Sequence, residues 1–384
     1  MINIICKYDC CGCTACAAIC GRQAITMQAD EMGFLYPLTD TSKCVDCGLC
    51  DKVCPIIRYD AVDDKTATPI IFALHHRDKD TWHTSSSGGV FAALTEYALK
   101  RNGIIYGAEY DEDFVVIHRG EESVQGALKF RGSKYVQSDI QGVYAEIRTY
   151  LLHGRFVLFS GTPCQVEGLK GFLMKPFVNL LTVDIMCHGV PSPKVFSDYV
   201  QFIRKNSVFR LTGINMKDKT FGWGYQKLRL FFGTHKSQFN TSISNLWNNI
   251  FYSHLATRPS CHKCRFANYL RPGDISIGDF WGIEKSHPEF YNSEGISLIM
   301  LNNQKGKDVW EHIKDCFSYI ESDTTKCVQP NLQHPAAEPS GKQQFVEDYQ
   351  NLSFWAIGVK YFGLSKKSLI KERIYYHLKS FLGK

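Results

Sequence analysis

The chain opens on two runs of one cysteine spacing, Cys10-x2-Cys13-x2-Cys16-x3-Cys20 and Cys44-x2-Cys47-x2-Cys50-x3-Cys54-Pro55. Three thiolates on one tight loop can face three corners of a 4Fe-4S cubane, while the fourth cysteine, at the start of the next turn, points away and ligates the other cluster. The spacing therefore implies a ferredoxin module with two 4Fe-4S clusters: one on Cys10, Cys13, Cys16 and Cys54, the other on Cys44, Cys47, Cys50 and Cys20. Zinc and disulfides fit less well, because zinc sites rarely carry two full four-cysteine runs. Gly12 and Gly48 keep the loops open to close backbone approach, so that N–H groups can reach cluster sulfurs. Gly21 follows Cys20 where the second run has Pro55, a looser corner with no ligand lost.

Four more cysteines stand at turns further along: Cys164 in Gly161-Thr162-Pro163-Cys164-Gln165, Cys187 in Met186-Cys187-His188-Gly189-Val190-Pro191, and the pair Cys261-x2-Cys264. The first two each follow an apolar strand, and strand ends in α/β sheets are where sites collect. On spacing alone the four suit a third 4Fe-4S cluster or a tetrahedral zinc, with unrelated buried thiols a third reading. Ser85-Ser86-Ser87-Gly88-Gly89-Val90 leads into a helix; hydroxyls and glycine N–H groups there make an anion site of the kind a dinucleotide pyrophosphate needs, although such a sequence is also an ordinary cap. Lys134 adds a cation beside Tyr135. His188 is a candidate proton donor, set against a purely structural histidine. Cys6, Cys11, Cys316 and Cys327 lie outside every pattern, Cys11 being only the neighbour of Cys10.

These residues need elements to position them. Segments 24–28 and 34–39 read as short strands around a 30–33 turn within the first domain, 1–58; 59–69 is polar and reads as a linker. Beyond it the pattern alternates. A strand at 70–74, a helix at 90–100, a hairpin of 104–110 with 114–118, a helix at 139–153 and strands at 155–160 and 180–186 precede a helix announced by Ser192-Pro193. Strands at 209–216 and 226–232, a helix at 244–254, strands at 274–279 and 297–301 and a helix at 307–314 follow. The fold class is thus α+β / α/β: a small two-cluster ferredoxin domain fused to a mixed α/β body whose strand order stays open. The expected division is 1–58, linker 59–69, body parts 70–150 and 151–335, and a helical extension 336–384. In its last part Ile370, Ile374, Leu378 and Phe381 recur at helical spacing among Lys366, Lys367, Lys371, Arg373 and Lys379.

At 384 residues, most of the chain lies outside the cysteine-rich start. Sixteen cysteines, with no leader-like start, imply a reducing cytoplasm, and no apolar run reaches membrane-spanning length. The formal charge of +6 is offset by the clusters, each about −2 when oxidised, leaving roughly +2. No basic stripe interleaved with aromatics suggests a nucleic-acid partner.

Taken in order, Ser87-Gly88-Gly89-Val90-Phe91-Ala92-Ala93-Leu94, Gly103-Ile104-Ile105-Tyr106-Gly107-Ala108, Gly132-Ser133-Lys134-Tyr135, Thr162-Pro163-Cys164-Gln165, Cys187, Cys261-x2-Cys264 and Asp274 to Gly282 resemble the coenzyme F(420) hydrogenase/dehydrogenase beta-subunit family in its form fused to an N-terminal ferredoxin. The resemblance implies a flavoprotein body with FAD lying along Ser87, Gly88, Gly89, Ser133, Lys134 and Tyr135, and a 4Fe-4S cluster on Cys164, Cys187, Cys261 and Cys264. It does not carry over the deazaflavin substrate. Asp279-Phe280-Trp281-Gly282 and Phe221-Gly222-Trp223-Gly224 suit the pocket of a planar substrate and core packing equally.

The resulting expectation is an iron–sulfur, FAD-dependent oxidoreductase. It would pass electrons between a small-molecule redox substrate and a ferredoxin-like partner or partner subunit, the first domain acting as a separable wire. The alternatives are an electron-relay subunit of a larger complex with no substrate of its own, and a non-redox accessory protein with structural clusters.

Overall fold

The computed structural model describes residues 1–58, 68–225, 227–233 and 236–372, with only the backbone of Lys236. The expected linker, 59–69, therefore lies outside the described residues except for its last two positions.

In the N-terminal domain, β1 (Ile25–Ala29) and β2 (Leu35–Thr39) pair antiparallel. Asp30 makes the turn between them, its Oδ1 accepting the N–H groups of Met32 at 3.0 Å and Phe34 at 2.9 Å. Each cysteine loop enters a short helix, Ala15–Ile19 or Leu49–Val53. The two loops repeat one backbone with different residues. Gly12 (φ 71°) is matched by Asp46 (φ 49°), and Thr14 (φ 63°) by Gly48 (φ 70°), so the left-handed positions recur while the glycine moves.

The body strands are β3 (Ile70–His76), β4 (Ile104–Tyr110), β5 (Val116–Glu121), β6 (Val157–Gly161), β7 (Leu180–Ile185), β8 (Leu211–Asp218), β9 (Lys227–Phe232), β10 (Lys236–Phe239), β11 (Ile275–Asp279), β12 (Ser297–Leu301) and β13 (Phe317–Ser322). Eight of them form one sheet in the order β13-β3-β12-β11-β7-β6-β4-β5. Its centre, β11-β7-β6-β4, is parallel, and the flanking pairs are antiparallel. Continuous apolar runs in β6, β7 and β12 are buried on both faces, as strands covered on two sides must be. β10, β9 and β8 make a separate antiparallel sheet.

The mixed α/β class holds, with differences of local origin. A helix, Pro163–Leu173, starts directly after β6 where only a turn was expected; Thr162 and Gln165 form its capping box. Gly168 and Gly171 had hidden it, since glycine weakens a helical pattern. Both are explained by close packing: a Cβ on Gly168 would lie 2.9 Å from the Cys13 Cβ, and one on Gly171 would lie 2.4 Å from the Val53 carbonyl oxygen. The helix expected over 139–153 shrinks to Val143–Leu152, because Gly142 (φ 84°) stands at its N-cap. β10 and β13 were not foreseen.

The ferredoxin domain packs directly on the body. Cys13, Ala15 and Val53 share one apolar core with Tyr144, Phe159, Val166, Leu169 and Phe172 of the body. Arg58 pairs with Glu167, and the Ser192 hydroxyl donates to the Met32 carbonyl. In the extension, helices Lys342–Asn351 and Phe354–Phe362 bury Phe345, Tyr349 and Ile357 against Tyr199 and Trp247. Of the terminal amphipathic stripe, Arg373, Ile374, Leu378, Lys379 and Phe381 lie outside the described residues. Among the described residues no helix is long and apolar enough to cross a membrane.

Candidate functional site

Cys10, Cys13, Cys16 and Cys54 line one small pocket with Ile2, Ile4, Met27, Pro37, Pro55 and Ile56. Cys11 lines the same pocket, and Cys20 does not. Burial first, and then repulsion from Cys10 and Cys54, pushes the Cys16 thiol up to about 12. Around the other set, backbone N–H groups already point at sulfur: Ile2 donates to Cys50 Sγ at 3.2 Å, Ala24 to Cys20 Sγ at 3.3 Å and Asp46 to Cys44 Sγ at 3.4 Å. Such donors are what a thiolate-rich cluster requires of its surroundings. Cys47 is exposed beside Val45, itself 60% exposed, so the second set reaches the surface whereas the first faces the body.

The parallel strands gather the remaining chemistry. Cys164 follows β6, Cys187 follows β7, and Asp279 ends β11, all at the C-terminal edge of neighbouring strands. The Cys261–Cys264 segment is tied to that edge by Arg271, whose guanidinium donates to Asp184 of β7 and to the Ile185 carbonyl, while the Gly273 N–H takes the second Asp184 oxygen at 2.7 Å. The four thiols feel one another. Cys187 is pushed up to about 12 by burial and then by Cys164; Cys264 goes to about 11 by burial and then by Cys164; Cys261 is raised by burial, Cys187 and Cys264. Cys164 is raised chiefly by a hydrogen bond with Cys11 and then by burial. Buried thiols in mutual repulsion can ionise together only around a multiply charged cation, so the donor set fits a cluster. Among the described residues, no group of three or more His, Cys, Asp or Glu converges tightly enough to hold a lone ion.

Cys11, set aside in the sequence, sits between the two cysteine sets and hydrogen-bonds with both Cys13 and Cys164. Arg258 reaches the same junction: its Nε donates to the Cys10 carbonyl at 2.8 Å and Nη1 to Gln137 Oε1 at 2.9 Å, while Gln137 Nε2 donates to the Cys11 carbonyl at 3.0 Å. No spacing pointed to these residues. The one available signal was an arginine three positions ahead of a cysteine pair.

Beside the body thiols opens a cavity of about 520 Å³, within the range of cofactor sites. Ser85, Ser86, Ser87 and Gly89 line one part, Ser133, Lys134 and Tyr135 another, and Cys187 with His188 a third. Gly88 is the exception among the expected residues. Its N–H is taken by Ser297 Oγ at 2.8 Å, and a Cβ there would lie 2.2 Å from the Leu74 carbonyl oxygen, so its role is packing of the turn on the sheet. The Val90–Leu99 helix starts at this wall, presenting its first N–H groups. Lys134 Nζ donates to the carbonyls of Lys129 and Arg131, and burial lowers its ammonium to about 7. Tyr135 stacks on Phe251 at 4.4 Å.

The lining fits a large polar–aromatic cofactor, because buried polar atoms facing it lack partners: Ser87 Oγ, His118 Nδ1, Gln329 Oε1 and Asn331 Oδ1. His118 Nε2 lies 3.0 Å from the Ser160 carbonyl and must carry the proton, leaving Nδ1 an acceptor, and burial keeps the ring neutral by lowering it to about 4. Burial and then His254 lower His188 too. The two aromatic stretches meet: Trp223 stacks on Trp281 at 4.5 Å, and Asp279 Oδ1 accepts from Trp223 Nε1 at 2.8 Å and Lys217 Nζ at 2.5 Å. Trp223 is core, whereas Trp281 and Asp279 face the cavity.

A two-set ferredoxin domain packed on a mixed α/β body, with a third cysteine set beside a deep cavity, defines an iron–sulfur protein of redox type. Residues 9–56 match the 4Fe-4S dicluster domain, and residues 154–325 match the family described as the C-terminal part of the beta subunit of coenzyme F420 hydrogenase/dehydrogenase. Over those residues the chain is similar to that hydrogenase/dehydrogenase beta-subunit family and, in its N-terminal part, to the dicluster domain. No curated protein matches it. Among solved structures, a chain of the F420-reducing [NiFe] hydrogenase complex from Methanosarcina barkeri aligns with 80% of this chain and 97% of its own length, at 16% identity and a TM-score of 0.48.

Proposed function

We propose that this chain is an iron–sulfur flavoprotein oxidoreductase that holds FAD in the cavity and a third 4Fe-4S cluster on Cys164, Cys187, Cys261 and Cys264. The observation that carries the reading is the continuity of one cavity from the Ser85–Gly89 turn and Lys134 to Cys187. A bound flavin would supply the exchange between two-electron chemistry on an organic substrate and the one-electron chemistry of clusters. The chain's own residues do the rest. Gly89, the first N–H groups of the Val90–Leu99 helix and Lys134 hold an anion; Tyr135 and Phe251 present a flat wall; the buried His118 offers a fixed acceptor. His188 and Asp279 stand where a proton would be moved to or from a small redox substrate, with Asp279 fixed by Lys217 and Trp223. Cys164, hydrogen-bonded with Cys11, adjoins the first ferredoxin set.

Purified anaerobically, the full chain should hold about twelve irons, four for each cysteine set, and about one FAD. A value near eight irons with stoichiometric zinc would make the body site a structural metal, and the absence of flavin after incubation with FAD would end the flavoprotein reading. Exposure of Cys47 and Val45 favours a second form of the same reading, a relay subunit whose outer ferredoxin set meets a ferredoxin-like partner or partner subunit. That form predicts turnover only in the presence of a co-purifying subunit.

A further inference from the structure

Arg258 is fully buried, and a guanidinium does not lose its proton in proteins. Its described hydrogen-bond partners are nonetheless all uncharged: the carbonyls of Cys10 at 2.8 Å and Leu35 at 2.9 Å, Gln137 Oε1 at 2.9 Å and Cys10 Sγ at 3.6 Å. The plane lies by the rings of Tyr36 at 4.4 Å and Phe34 at 5.3 Å. Among the described residues no carboxylate pairs with it; the titratable groups that act on it most are Cys10, Tyr36, Cys11 and Cys261, and burial keeps the Tyr36 phenol neutral. Burying a charge without a counter-charge is heavily disfavoured, so the site demands an anion. A 4Fe-4S centre with four thiolates carries about −2 oxidised and about −3 reduced, and the Cys10 sulfur is one of its corners. The chain makes room for the arrangement at Gly12, where a Cβ would lie 2.5 Å from Arg258 Nη1.

We propose that Arg258 is the buried counter-ion of the cluster on Cys10, Cys13, Cys16 and Cys54, and that it raises the reduction potential of that cluster at the crossing to the body. The sign follows from charge: a fixed cation with an N–H on sulfur favours the more negative, reduced form. Its position three residues before Cys261 puts the same cation beside the body set, easing the repulsion between two neighbouring anionic centres. That last clause rests on the body cluster proposed above; the effect on the Cys10 cluster does not, since this cluster belongs to the dicluster domain. Lysine would serve less well, having no fork to bind two carbonyls and a sulfur at once.

The test is a redox titration of the anaerobic full-length holoprotein followed by electron paramagnetic resonance, with iron content measured alongside. Arg258→Gln should retain its iron and shift the reduction equilibrium of one ferredoxin cluster toward the oxidised form by about tenfold or more, about 59 mV for a one-electron couple. The other cluster should not move. Arg258→Lys should shift the same signal by less. Full iron with wild-type potentials in Arg258→Gln would overturn the proposal and leave Arg258 a structural peg. If that variant loses its clusters, wild-type protein carrying guanidino-nitrogen-15 arginine decides: nitrogen-15 hyperfine coupling on one reduced ferredoxin cluster supports the proposal, and its absence overturns it. Missing body iron would refute the body cluster alone and leave this measurement intact.

Discussion

Lys134 shows how one residue couples a site to solution conditions. Burial lowers its ammonium to about 7, so in the flavin-free chain the amine is largely neutral above that pH. A pyrophosphate favours the ammonium, so binding above about pH 7 requires proton uptake. FAD affinity should then fall as pH rises from about 7 to about 9, by at most about tenfold per unit for one proton. Fluorescence titrations across that range check it, and Lys134→Met should bind more weakly and with a flat profile; an unchanged slope would remove Lys134 from the anion site. In the flavin-free chain the same depressed value works through the unfolded state, which holds the proton up to about 10.5. Its stability should therefore rise with pH between about 7 and 10.5.

At the scale of elements, the Pro163–Leu173 helix does two jobs. Its first turn carries Cys164 and its side carries the ferredoxin loops, an arrangement that depends on a bare Gly168. A Cβ there would lie 2.9 Å from the Tyr144 hydroxyl oxygen and 3.0 Å from Cys13 Sγ. Gly168→Val should cost about 1–3 kcal/mol by overpacking and lower iron in the first ferredoxin set. Denaturant titration and iron assay of the variant measure both. Wild-type stability with full iron would mean that the helix and the Cys13 loop have room for the added side chain. The elements that hold the site show what was legible beforehand. β12 (Ser297–Leu301) matched its expected bounds because a fully buried strand is a plain apolar run between polar turns. The glycine-bearing helix was hidden because its sequence answers to Cys13 and Val53, neighbours far away along the chain, which no local period records. The dicluster domain could be read because the spacing of its cysteine runs is local, whereas Arg258, Gln137 and Cys11 have meaning only once the two domains are packed together. Gly88 looked like an anion donor because hydroxyl-rich turns and sheet-packing turns share one sequence.

The described residues pack as one body and carry three cysteine sets in order, and this bears on how far the parts can be taken apart. Neither ferredoxin set draws a ligand from beyond Cys54, so by ligands alone the first 58 residues could be removed. The packing says otherwise. Cys13, Ala15 and Val53 cover Val166, Leu169 and Phe172, and Met32 and Phe34 lie in the core that includes Val195 and Phe196. Removal would also strip from Arg258 the carbonyls of Cys10 and Leu35 and the rings of Phe34 and Tyr36 that cover it. A chain starting after Arg58 should therefore aggregate or unfold at lower denaturant than the full protein, even when supplied with FAD. The milder Ser192→Ala removes both the bond to Met32 and the cap on Val195, and should cost about 1–2 kcal/mol with the body's iron retained. Comparing the two separates loss of cover from loss of one bond. A soluble truncated body with wild-type stability would mean that the shared core contributes little, and that the domains are joined by their chain alone.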